Sequence, residues 1–231
     1  MIQTSINAII GLQLKKFIPN KQLLLTSLIM GMLLPDLDLI LDFILSLFLK
    51  FDFLNNPYIS NTIFHSLFMI PFISLLTLIY LEYKNKNNIN IVMGLSIGMF
   101  IHVIFDILTL KSVGIFYPLF DSSKNINLNN SLNFNIPDLI SKTLYAFEFF
   151  FFRLYTWMNI SLIIINKNDS FKILKKLTIW MKFQLYIFLL FLLLIYFDID
   201  DSVFSNFFGI FYIPSFLMAV YMTYKTRKAI K

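Results

Sequence analysis

Long apolar segments alternate with short polar segments along the chain. Polar residues concentrate at Lys15–Lys21, Asn55–Asn61, Glu82–Asn90, Lys111–Ser141, Asn166–Lys176 and Asp198–Ser205. The apolar runs between them are continuous, whereas strands of a membrane barrel would alternate apolar and polar positions over about 10 residues. The pattern predicts an all-α protein with about six membrane-embedded helices, near Leu23–Leu41, Ile63–Leu81, Ile91–Leu110, Leu144–Ile165, Thr178–Tyr196 and Phe207–Tyr224.

The composition indicates that the lipid bilayer is the solvent and main partner of this chain. Of its 231 residues, 58% are hydrophobic and 14% are charged. Soluble domains contain about 25% charged residues, so an ordinary soluble domain is excluded. The N-terminal segment has its apolar stretch before its charges and no small-residue cleavage site, the reverse of a secretory signal. We therefore predict a single integral membrane domain over residues 1–231.

The net charge of +6 helps to predict which loops are cytoplasmic. The positive charges are spread over short loops and the C-terminal tail, so we predict no nucleic-acid partner. Because lysine and arginine accumulate at cytoplasmic helix ends, we expect the loops containing Lys15, Lys84 and Lys175, and both termini, to be cytoplasmic. The acidic turn at Asp198–Asp201 and the segment Asp42–Phe53 are then outside, the latter as an interfacial or re-entrant helix.

The residue inventory narrows the possible chemistry. The chain has no cysteine and two histidines. Disulfides, thiolate metal sites, iron–sulfur clusters and cysteine nucleophiles are therefore excluded. The sequence also lacks a glycine-rich phosphate loop and an H-E-x-x-H motif. Any metal site must combine imidazole with carboxylate ligands.

Two aspartates follow a proline within otherwise apolar sequence, in Gly31-Met-Leu-Leu-Pro35-Asp36-Leu-Asp38. Proline restricts the preceding residue to extended conformations and suits the first position of a helix, so we expect Asp36 and Asp38 in the first turn of a new helix. The helix N-terminus would stabilise carboxylates there, which is a purely structural interpretation. Removing two unpaired carboxylates from water is costly, and this favours a binding role.

The two histidines occur in two further segments. His65 opens an apolar helix, where a histidine serves as a cap more often than as a ligand. His102 and Asp106 are four residues apart and share one helical face, so they can bind the same cation or hydrogen-bond to each other.

The predicted topology places all three segments in the same leaflet, so their side chains can converge. Imidazoles and carboxylates in combination suit zinc or manganese. Weaker candidates are Glu148, as a ligand or general base, and Arg153, Lys111 and Lys142, as partners of an anionic substrate.

At these residues the sequence resembles the YdjM-type membrane-bound metal-dependent hydrolases, a bacterial inner-membrane family distantly similar to zinc-dependent phospholipase C. The similarity covers residues 6–120. The family pattern G-x-L-L-P-D-x-D matches Gly31–Asp38, the end of H-R-x-x-T-H-S matches His65 and Ser66, and H-x-x-x-D-x-x-T with a following glycine and proline matches His102, Asp106, Thr109, Gly114 and Pro118. The chain departs from the pattern at Asn7, Ser60, Asn61 and Phe64, where the family has His, His, Arg and Thr.

The resemblance implies a divalent metal ion, zinc or manganese, held by Asp36, Asp38, His65, His102 and Asp106. It further implies metal-assisted hydrolysis of an ester or phosphoester, in a small-molecule or lipid-like substrate at the membrane interface. Asp38 and Asp106 would then carry catalytic proton transfer. The expected location is a bacterial inner membrane, and the helices at residues 144–224 lie beyond the similar region.

Two other functions fit the same residues. The chain can be a non-catalytic membrane relative, in which these acidic and histidine side chains serve structure or a partner surface. It can also be a small transporter that relays protons or passes a metal ion. Many transporters have matching interrupted helices in two halves, and no second segment here matches Pro35–Asp38.

Overall fold

A computed structural model describes residues 4–19, 21–49, 51–54, 59, 63–86, 88–108, 114–117, 138–166 and 171–227. These residues contain α-helices and short 3-10 turns, and none of them lies in a β-strand. The all-α prediction is therefore confirmed. The helices are α1 (Thr4–Gln13), α2 (Leu24–Leu33), α3 (Leu37–Leu49), α4 (Met69–Tyr83), α5 (Ile89–Leu108), α6 (Asp138–Ile165), α7 (Phe171–Tyr196) and α8 (Asp201–Thr226).

Within the described residues, four helices are long and apolar enough to cross a membrane, namely α5, α6, α7 and α8. The prediction of about six membrane-embedded helices is not confirmed. The expected crossing at Leu23–Leu41 is divided into α2 and α3, and the one at Ile63–Leu81 is the 15-residue helix α4. A helix of that length is about 22 Å long, shorter than the roughly 30 Å hydrocarbon core.

Pro35 divides the first predicted crossing. It lies in a 3-10 turn, Leu34–Asp36, between the last residue of α2 and the first of α3. Proline has no backbone N–H to continue the helix, and its ring clashes with the preceding turn. Asp36 ends this turn and Asp38 lies in the first turn of α3. The expectation that both aspartates lie in the first turn of a new helix is confirmed for Asp38 only. Asp36 belongs to the 3-10 turn that precedes α3, and Leu34 has a helical backbone (φ −62°, ψ −40°) instead of the expected extended one, because the 3-10 turn continues directly from α2.

Internal contacts divide the chain into two compact units, one containing α2 to α5 and the other containing α1 and α6 to α8. In the first unit α2 packs along α5 at very short range. A Cβ atom added to Gly98 would lie 2.1 Å from the carbonyl oxygen of Leu28, and one added to Gly31 would lie 2.2 Å from that of Leu95. Only glycine permits such an approach of two helix backbones.

In the second unit, aromatic rings from three helices meet. The ring of Phe149 on α6 stacks on Phe191 of α7 at 4.9 Å and contacts Phe208 of α8 at 5.4 Å, measured between centroids. Polar side chains also pair between α6 and α8, since the Tyr155 hydroxyl lies 2.5 Å from the Thr223 hydroxyl. The buried rings of Phe149, Phe191 and Phe208 thus form a packed interior between α6, α7 and α8, whereas other phenylalanines, such as Phe17 and Phe48, are exposed.

Candidate metal centre

The three polar segments singled out in the sequence converge inside the unit of α2 to α5. Asp36 and Asp38 flank the start of α3, His65 lies in the turn before α4, and His102 and Asp106 lie on α5. All five side chains are buried. The structure therefore brings together every residue proposed as a metal ligand.

His102 is oriented by the backbone of α2. Its Nδ1 atom lies 2.6 Å from the carbonyl oxygen of Met32. A carbonyl only accepts, so Nδ1 carries the proton and Nε2 presents its lone pair. This Nε2 atom lies 3.2 Å from Nε2 of His65 and 3.1 Å from Oδ2 of Asp106.

The Met32 carbonyl is available because α2 ends directly after it. The last carbonyls of a helix lack partners within the helix. The chain continues as the 3-10 turn Leu34–Asp36, where a carbonyl accepts from the residue three positions later. For Met32 that residue is Pro35, which has no N–H to donate. The backbones of α2 and α5 approach closely at Gly31 and Gly98. Gly31 immediately precedes Met32, and Gly98 lies one turn before His102. The close packing of the two helices therefore brings the imidazole to the carbonyl.

His65 is oriented in the same way by a carboxylate. Its Nδ1 atom lies 2.9 Å from Oδ2 of Asp38, and its Nε2 atom lies 2.9 Å from Oδ2 of Asp106. A carboxylate on the far nitrogen of a histidine is the common outer-shell arrangement around metal-binding imidazoles. Both histidines thus have Nδ1 held by a partner and Nε2 directed into the cluster.

Asp36 completes a group with metal-binding geometry. One ligand atom each from Asp36, His65 and His102 lie within 4.8 Å of one another. Oδ1 of Asp36 is 3.7 Å from Nε2 of His102, and its Oδ2 atom is buried without a hydrogen-bond partner among the described residues. A buried carboxylate oxygen in this position is costly unless a cation neutralises it, so the residues present fit a divalent ion.

The electrostatics of the cluster also favour a cation. Three aspartates and two histidines are buried together. Burial lowers the pKa of His65, which lies outside the four membrane-spanning helices, but the Asp38 and Asp106 carboxylates outweigh burial and raise that pKa from 6.5 to about 10. The carboxylates thus attract a positive charge into the cluster, as a bound divalent ion would provide.

Backbone and side-chain hydrogen bonds hold the segment that carries His65. The Ser66 hydroxyl lies 3.2 Å from the Ile115 carbonyl oxygen and 2.5 Å from that of Tyr117, and the Leu67 N–H donates to Ile115 at 2.9 Å. The motif residue Ser66 therefore anchors the turn. Five residues discussed above lie outside the described part of the chain: Ser60, Asn61, Thr109, Lys111 and Pro118.

Two structural determinants of the site were missed from the sequence. The role of the Met32 carbonyl could not be predicted from residue type, because every residue has a backbone carbonyl. The glycines do carry one, because Gly94 and Gly98 on α5 form the G-x-x-x-G spacing typical of close helix pairs in membranes. Asp42, also buried, accepts a hydrogen bond from the Ile59 N–H at 2.7 Å and so holds the backbone of Ile59 to α3.

The remaining sequence candidates lie in the other unit. Glu148 on α6 accepts a hydrogen bond at 2.8 Å from the Ser5 N–H in the first turn of α1, where a carboxylate is favoured by the helix dipole. Lys142 pairs with Asp138 at 3.2 Å and Asp201 at 2.5 Å. Asn7 is buried on α1. The contacts of Glu148 and Lys142 indicate structural roles.

Comparison with known families decides the assignment of the chain. A family model described as YdjM inner membrane protein matches residues 3–202. The chain belongs to this family. The match extends past the similarity seen at residues 6–120 and takes in α6 and α7. No curated protein and no solved structure matches the chain. Membership of the YdjM family makes the chain an inner membrane protein, in agreement with the four apolar helices of sufficient length found among the described residues.

Proposed function

We propose that this YdjM family member is a metal-dependent hydrolase that acts on an ester or phosphoester at the membrane interface. One observation carries the proposal. Both imidazoles have Nδ1 held by an acceptor, the Met32 carbonyl or the Asp38 carboxylate, and their Nε2 atoms face each other 3.2 Å apart beside Asp106. Pre-oriented histidines of this kind are typical of metal centres.

The donor set supports a particular class of divalent ion. The ion would be held by Asp36, His65 and His102. Asp106 could be a further ligand, because its Oδ2 atom lies close to Nε2 of both histidines. Two imidazole nitrogens with carboxylate oxygens suit zinc or manganese rather than a soft metal. A divalent ion bound there supplies Lewis-acid charge stabilisation and an acidified water for hydrolysis.

The chain's own residues supply orientation and proton transfer. Asp38 holds the His65 ring through Nδ1, so we assign it an orienting role in addition to the catalytic role proposed from the sequence. Asp106 is buried, and the carboxylate oxygen that does not bind the ion could take up a proton and return it to a leaving group. Burial of the cluster strengthens each of these interactions because little water screens them.

The proposal predicts hydrolysis that depends on added metal. Purified protein in detergent, loaded with zinc or manganese, should cleave a chromogenic phosphodiester or a phospholipid, and a chelator should stop the reaction. Asp106→Asn should lower the rate by about 100-fold, the usual minimum for a general acid–base residue. Liberated product measured against time is the readout.

Asp42→Asn is the matched control, because it alters a buried aspartate of α3 outside the candidate ligand set. It should retain activity. Metal-loaded protein that hydrolyses none of these esters, but moves zinc or protons into sealed vesicles, would replace the hydrolase with a transporter.

We also propose that residues 1–231 form one integral membrane domain in a bacterial plasma membrane, with both termini cytoplasmic. With α5 to α8 as the crossings, the lysines before α5 and after α6 and α8 fall on one side, and Asp198–Asp201 falls on the other. Segments α2 to α4 would then enter and leave the bilayer from the cytoplasmic side. Fusions of a reporter active only in the cytoplasm should be active at residue 231 and inactive at residue 199.

A further inference from the structure

A second candidate site lies on α6 and α7, helices that carry none of the candidate metal ligands. An open groove of about 560 Å³ is lined by Phe150, Arg153, Leu154 and Trp157 of α6 and by Met181 of α7. The four α6 positions follow the i, i+3, i+4, i+7 spacing and so form one stripe along the helix. The groove is apolar apart from a single arginine.

Arg153 is an unusual residue for this location. It lies near the middle of a 28-residue candidate membrane span. Its guanidinium has no hydrogen-bond or ion-pair partner among the described residues. An arginine is always charged, so in a membrane helix its guanidinium must reach water, a lipid phosphate or another anion.

The two tryptophans of the chain indicate the depth of the groove. Trp157 precedes the end of α6 by eight residues, and Trp180 follows the start of α7 by nine. Tryptophan prefers the membrane–water interface, and α6, at about 42 Å, is longer than the roughly 30 Å hydrocarbon core. Exposed Lys175 and Lys176 lie nearer to the start of α7 than Trp180 does. Arg153 is one turn deeper than Trp157, within reach of headgroups by extending its side chain.

We propose that this groove is a binding site for one anionic phospholipid, with the lipid phosphate paired to Arg153 and an acyl chain along the apolar stripe. The guanidinium fork matches phosphate oxygens in a bidentate manner. The apolar lining suits an acyl chain. A soluble anion would find no polar side chain in this lining other than Arg153. Basic grooves between membrane helices bind anionic headgroups for the same reasons.

The two tryptophans also make the proposal measurable. The full-length protein is reconstituted into phosphatidylcholine vesicles in which a fixed fraction of lipid is brominated phosphatidylglycerol or, in parallel, brominated phosphatidylcholine. Bromine quenches tryptophan fluorescence on contact, and Trp157 lines the groove. We expect the wild type to favour phosphatidylglycerol by about fivefold, the ratio for one interfacial charge.

Arg153→Gln should abolish this preference, and Arg153→Lys, which keeps the charge without the bidentate fork, should retain part of it. The control is Arg227→Gln, which removes the other arginine of the chain at the end of α8. Equal quenching by both lipids in the wild type, or an unchanged preference in a folded Arg153→Gln variant, would overturn the proposal. Loss of the preference on adding inorganic phosphate would identify a site for free anions instead. If Arg153→Gln fails to fold, the wild-type comparison and Arg153→Lys still decide.

Discussion

His102→Ala is expected to remove the divalent ion from the purified protein. The substitution deletes the Nε2 donor that faces His65 and Asp106, and it releases the Met32 carbonyl. Loss of an outer-shell partner alone weakens metal affinity by 10-fold to 100-fold, so loss of a direct ligand should exceed about 100-fold. Elemental mass spectrometry of wild type and variant, after equal exposure to zinc and manganese, measures the effect.

Two further variants separate ligation from folding. Asp42→Asn should keep its metal, because Asp42 bonds to the Ile59 N–H and is not in the candidate ligand group. Asp38→Asn retains an oxygen that can accept from His65 Nδ1 but lacks the charge, so it should weaken metal binding by about 10-fold to 100-fold. A loss as large as that of His102→Ala would make Asp38 a direct ligand. Equal metal in folded wild type and His102→Ala would refute the metal centre.

Folded protein without metal in every variant, wild type included, would leave the chain as a non-catalytic member of its family. Loss of folded protein only on substitution of His102 points the same way, because a buried partner is then left unpaired. Circular dichroism and gel filtration in detergent, recorded beside the metal content, distinguish these outcomes.

Gly98→Ala is expected to destabilise the protein, although alanine is the better helix former by about 1 kcal/mol. A Cβ atom at Gly98 would lie 2.1 Å from the Leu28 carbonyl oxygen and 2.9 Å from the Met32 backbone nitrogen. Backbone atoms cannot move aside as a flexible side chain can, so α2 and α5 must separate. We expect a loss of roughly 3 kcal/mol, in the upper range of overpacking substitutions.

The matched control is Ile97→Ala, which places the same residue one position earlier on α5, where the side chain is 42% exposed. It should change stability far less. Thermal unfolding in detergent is the measurement, and metal content should fall together with stability, because the same helix contact brings His102 to the Met32 carbonyl. A Gly98→Ala protein as stable as wild type would show that the two backbones are farther apart than the structure has them.

The sequence predicted which polar residues lie close together better than it predicted the number of membrane-spanning helices. His102 and Asp106 were expected on one face of one helix, and Nε2 of His102 indeed lies 3.1 Å from Asp106. Pro35 was expected at the first position of a new helix, and it lies in the 3-10 turn that leads into α3. The number of crossings depends instead on where each apolar run is helical, and α2, α3 and α4 are each too short to span the bilayer.

By itself, the sequence determined the helical class, the membrane environment, the family and the residues of the candidate metal centre. Composition, continuous apolar runs and motif spacing are local properties, and they can be read along the chain. Only the tertiary structure decided how the residues face one another. The bonds from His102 to Met32 and from His65 to Asp38 join positions 70 and 27 residues apart. The bond from His102 forms because glycine lets α2 and α5 pack backbone to backbone, and this contact exists only once both helices are folded together.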